Sequence, residues 1–77
     1  MQLQVRGQRK LYSGETMLDV IHLLRRDMSD GEVNLEQWMQ GYAKAMKERD
    51  GSKIDTSSPG QFMITMRRAG EFHVWET

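Results

Sequence analysis

The chain has no cysteine and a single proline in 77 residues, and its 11 basic side chains are matched by 11 acidic ones. Without cysteine, a disulfide scaffold and a thiolate-rich zinc site are both excluded. The charge balance argues against a protein whose main work is coating nucleic acid, because such affinity is mostly electrostatic. No run approaches the roughly 20 apolar residues of a membrane-spanning helix. The opening Met1-Gln2-Leu3-Gln4-Val5-Arg6 lacks the apolar stretch of a secretory signal. These features fit a cytoplasmic protein with no membrane partner.

What is present suits one small domain, residues 1–77, with a thin core. Lacking a covalent staple, such a chain relies on core packing or on self-association. Its seven methionines suit irregular cores and adaptable binding surfaces alike.

Leu3 and Val5 alternate with Gln2, Gln4 and Arg6, the period of a half-buried strand. Gly7 breaks that strand, and Arg9 to Tyr12 offers a short second one. Thr16 and Asp19 have capping-box spacing and open a helix with Met17, Val20, Ile21, Leu24 and Met28 on one stripe. Asn34, with Gln37 three residues on, caps a second helix that runs to about Arg49. Its stripe is Leu35, Trp38, Met39, Tyr42, Ala45 and Met46, and Gly41 on the border suits close approach of another backbone. Residues 50–60, rich in Gly, Ser, Thr and Asp, read as a mobile surface loop.

Gln61 to Thr77 reads as a β-hairpin turning at Gly70. Phe62, Ile64, Met66, Phe72 and Val74 then face a core, while Met63, Thr65, His73 and Trp75 share the other face. The predicted fold is α+β, two amphipathic helices packed on one face of a three- or four-stranded antiparallel sheet, in the order β(β)ααββ.

Three resemblances are visible. Asp30 to Trp38 resembles the back half of an EF-hand, with Gly31 at the loop's sixth position and Val33 at the aliphatic eighth. The earlier ligand positions hold Arg26 and Met28 and the last holds Gln37, so calcium, which wants several hard oxygens, is not expected. Met1 to Leu24 is similar to the opening of ubiquitin-like sulfur carriers of the β-grasp fold, through Leu3-Gln4-Val5, Gly7 and Gly14-Glu15-Thr16-Met17-Leu18. The resemblance implies a ββα opening. Val74-Trp75-Glu76-Thr77 is not the Gly-Gly tail through which those carriers act. Helix, turn, helix and hairpin together resemble a reduced winged helix-turn-helix.

No nucleophile elbow, phosphate loop or metal-ligand cluster accompanies these elements. No enzyme activity, cofactor, metal or small-molecule substrate is therefore expected. The outer hairpin face carries a methionine and a tryptophan, types enriched at interfaces. The expected function is a non-catalytic protein–protein interaction module, binding another protein or itself as a homodimer. Its contacts would be Met63, Thr65, His73 and Trp75, rimmed by Arg67 and Glu71. Stand-alone domains of this kind often regulate or inhibit a larger complex, and some are carried by phages. The alternative is nucleic-acid binding, with Arg67 and Arg68 at the hairpin tip and Arg6, Arg9 and Lys10 extending a basic edge.

Overall fold

The alternation at the N-terminus forms strand β1 (Gln2–Val5), and a tight turn at Gly7 leads into the short β2 (Leu11–Ser13). Three helices follow, α1 (Met17–Met28), α2 (Leu35–Asp50) and α3 (Pro59–Arg68), and then β3 (Phe72–Trp75). This is a computed structural model describing residues 1–29 and 33–75. The sheet is antiparallel in the order β2-β1-β3, with Leu3 opposite both Tyr12 and Val74.

The α+β class and the small antiparallel sheet match the sequence expectation. Both anticipated caps form. Thr16 Oγ1 accepts from the Asp19 amide at 3.2 Å while Asp19 Oδ2 accepts from the Thr16 amide at 3.3 Å. Asn34 Oδ1 accepts from the Gln37 amide at 2.8 Å. The EF-hand-like turn at Asp30, Gly31 and Glu32 lies outside the described residues.

The hairpin expectation is corrected at its first strand. Residues 59–68 are helical, and β3 pairs instead with β1, placing Trp75 opposite Gln2 and His73 opposite Gln4. Ser58 caps α3 by accepting from the Gln61 amide at 3.1 Å, and Pro59 occupies the first turn, where its missing N–H costs nothing. Gly70 has the positive φ expected of a turn, 78°, but it terminates a helix. The Glu71 amide donates to Met66 C=O and the Gly70 amide to Arg67 C=O, both at 3.0 Å, the pair of bonds that define a Schellman ending.

The helices cover one sheet face. Leu3, Val5, Tyr12 and Phe72 meet Val20, Ile21 and Leu24 of α1, Trp38, Met39 and Met46 of α2, and Phe62, Met63 and Met66 of α3. At the centre, Phe62 lies edge-to-face with Trp38, Tyr42 and Phe72, with centroids 5.5–6.1 Å apart. Ile54, in the irregular stretch 51–58, packs against this core, and the Asp55 amide donates to Thr65 Oγ1 at 3.1 Å. Gly41 brings no other backbone close: a Cβ there would meet nothing within 4 Å.

Tyr12 joins β2 to α1 by donating its hydroxyl to Asp27, which also accepts from Lys10 Nζ at 3.0 Å. Burial first, then this hydrogen bond and the nearby negative charge, push the Tyr12 phenol up to about 12. The fold thus holds the proton more tightly than the unfolded chain, where a phenol titrates near 10. That contribution is fully present below pH about 10 and is lost as pH rises through about 12. Tyr42 is raised as well, by burial and then by its bond to Glu71. Tyrosinate absorbance should therefore show neither tyrosine ionising near pH 10 in the folded protein. A midpoint near 10 for Tyr12 would mean that the ring is neither buried nor bonded to Asp27.

Candidate functional site

The helices lie on one side of the sheet, and among the described residues no element covers the other face. It carries Gln2 and Gln4 of β1, Leu11 and Ser13 of β2, and His73 and Trp75 of β3. Trp75 is 39% exposed, and its ring lies 4.8 Å from that of His73, centroid to centroid, at an interplanar tilt of 48°. Beside this pair is a shallow depression of about 280 Å³ lined by Gln4, Arg6, Gln8, Glu71, His73 and Trp75.

The structure gathers three of the six expected contact residues, Glu71, His73 and Trp75, around this depression. The others belong to α3. Met63 is only 3% exposed and sits in the core. Thr65 donates its hydroxyl back to Gln61 C=O at 2.8 Å and so serves its own helix. Arg67 is exposed on the last turn.

Glu71 is 4% exposed and is not a rim residue. Its carboxylate accepts from Tyr42 Oη at 2.6 Å and from Arg49 Nη2 at 2.9 Å, and Arg6 Nε lies 4.0 Å away. The same guanidinium of Arg49 reaches Asp50 at 3.2 Å, and these carboxylates hold its pKa above the ordinary arginine value. This cluster, unanticipated from sequence, latches the start of β3 to α2. A charged residue immediately before an apolar strand is its only sequence signal, and a weak one. Across the cluster from the depression, a groove of about 550 Å³ runs along α2, with Val5, Met28, Val33, Trp38, Gly41 and Ala45 among its walls.

The basic residues sit in different elements. Arg6 adjoins Glu71, Lys10 is paired with Asp27, and Arg9 is exposed between β1 and β2. Arg67 and Arg68 occupy the C-terminal turn of α3, where they complement the helix dipole, and not a hairpin tip. With α3 in place of the hairpin's first strand, the wing of the winged-helix resemblance is absent. Among the described residues no group of three or more His, Cys, Asp or Glu side chains could hold a metal ion, and no helix is long and apolar enough to cross a membrane. Comparison with protein-family models, with curated proteins and with solved structures found no match.

Proposed function

We propose that this chain is a non-catalytic protein–protein interaction module that binds through β3. One observation carries the reading: Trp75, beside His73, stands on an uncovered sheet face, on a strand that forms the sheet's edge. A large, rigid aromatic at the boundary of a sheet supplies contact area at low entropic cost, as interface anchors do. The role that suits such a module is regulation or inhibition of a larger assembly, and a reducing cytoplasm suits a chain without cysteine.

Trp75→Ala tests the reading. The substitution removes an exposed cross-strand neighbour, so it should destabilise the domain by about 1 kcal/mol or less. It should also abolish partner capture or self-association, read by affinity capture and light scattering against the wild-type chain. If the thermal transition collapses instead, the indole belongs to the core and the surface is not a docking site.

A further inference from the structure

We infer that the partner of β3 is a second copy of this chain, its own β3 pairing antiparallel about a two-fold axis through His73. The inference rests on the interaction reading and names the occupant of that site. It follows from the direction of the backbone groups. The Arg6 amide donates to Glu71 C=O at 2.8 Å, so Arg6 and Glu71 occupy a hydrogen-bonded position of the β1–β3 ladder. Antiparallel ladders alternate, so His73 and Trp75, opposite Gln4 and Gln2, also turn their amides and carbonyls towards β1. Phe72 and Val74 turn theirs outward, to the free edge. No hydrogen bond from another element reaches either residue among the described residues.

Edge strands are normally protected by charge, proline or extreme shortness. β2, at the opposite edge, has three residues and follows Lys10. β3 has four residues, Phe72-His73-Val74-Trp75, with no Lys, Arg, Asp, Glu or Pro among them, and the Glu71 carboxylate just before it is engaged by Tyr42 and Arg49. An extended backbone is what such an edge accepts, and a net charge of zero leaves little long-range repulsion between copies.

Symmetry then selects the register. A two-fold centred on Phe72 or on Val74 pairs only one outward residue of β3 with its counterpart. Centred on His73, it pairs Phe72 with Val74 of the second copy and Val74 with Phe72. Both outward residues of each strand are then satisfied, with the N–H and C=O of each bonded. The two three-stranded sheets become one of six strands. The two His73 side chains meet on the open face as a pair without hydrogen bonds between them, each beside its own Trp75. Pairing over four residues buries less than the roughly 1,200 Å² of a stable specific interface, so the dimer is weak and reversible.

Because the chain has no cysteine, His73→Cys introduces a single thiol at the axis. Facing side chains in such a pair have Cβ atoms about 4.5–5.5 Å apart, close enough for a disulfide after slight adjustment. Gln4→Cys puts the thiol on the same face one strand inward. Its distance to its symmetry mate is three strand spacings, roughly 14 Å, beyond disulfide reach. Sedimentation of the wild-type chain from about 1 µM to about 1 mM should show the mass doubling. In the range where it doubles, mild oxidation should convert His73→Cys, and not Gln4→Cys, to a covalent dimer. A wild-type monomer throughout, a His73→Cys protein that stays uncrosslinked where the wild type dimerises, or equal crosslinking of both variants overturns the inference. These failures are distinct from failure of the interaction reading, which is marked by unfolding of Trp75→Ala.

Discussion

Met63→Lys should unfold most of the domain, whereas Ile64→Lys, one residue along, should leave it folded. Met63 is 3% exposed between the sheet and the other helices; Ile64 is 41% exposed. Removing a buried thioether costs about 2–5 kcal/mol, and an ammonium with no buried partner adds several more unless it is forced neutral. A 77-residue domain has roughly 4–12 kcal/mol of stability to lose. The ammonium at position 64 stays in water, where substitutions shift stability by about 0.5 kcal/mol. Circular dichroism during thermal unfolding would read both. The pair also decides between two architectures, because a strand over residues 61–67 would place Ile64 inside and Met63 outside. Tolerance of Met63→Lys with collapse of Ile64→Lys would mean that this segment is extended.

The ambiguity of that segment has a physical origin. Phe62, Ile64 and Met66 alternate with Met63 and Thr65 as a strand would. Phe62, Met63, Met66 and Ala69 also recur at helical spacing, and that set is the one packed against the core. Five of the residues from 61 to 68 are Gln, Met or Arg, good helix formers. The Ser58-Pro59 dipeptide, a cap followed by proline in the first turn, was the deciding local signal. Gly70 cannot discriminate, since a hairpin turn and a Schellman ending both ask for positive φ.

The first half of the chain was more legible because its signals are short-range. Thr16 with Asp19, and Asn34 with Gln37, each link residues three apart. The ββα opening likewise joins neighbours. Pairing of β3 with β1 links residues about 70 positions apart, and no local pattern encodes it. The parity of β3 was nevertheless readable without knowing its partner. Strand alternation alone puts Phe72 and Val74 on one face and His73 and Trp75 on the other, and the structure keeps that division. Glu71 shows the limit of the same logic. Its parity places it with His73 and Trp75, but it lies at the helix ending, before the strand, where Tyr42 and Arg49 draw its carboxylate inward.

That carboxylate is the second position where a single change should matter most. Glu71→Ala is expected to cost about 2–4 kcal/mol, by loss of one charge-assisted bond from Arg49 and one from Tyr42, and by leaving a half-buried phenol without its acceptor. Breaking a fully buried ion pair would cost about 3–5 kcal/mol. Here the abandoned cation is not trapped, because the Arg49 side chain is 45% exposed and can turn to water or to Asp50. Glu71→Gln should cost less, since an amide oxygen still accepts from Tyr42. Tyr42→Phe separates the two contributions. If the phenol's stranded hydroxyl carries much of the penalty, Glu71→Ala will be milder in the Tyr42→Phe background, with a coupling of about 1 kcal/mol or more in denaturant unfolding. Additive losses would instead assign the cost to Arg49. In either case the cluster holds the first residue before β3 against α2. Glu71→Ala should therefore loosen the strand that presents His73 and Trp75 and also remove a carboxylate from the wall of the depression beside them.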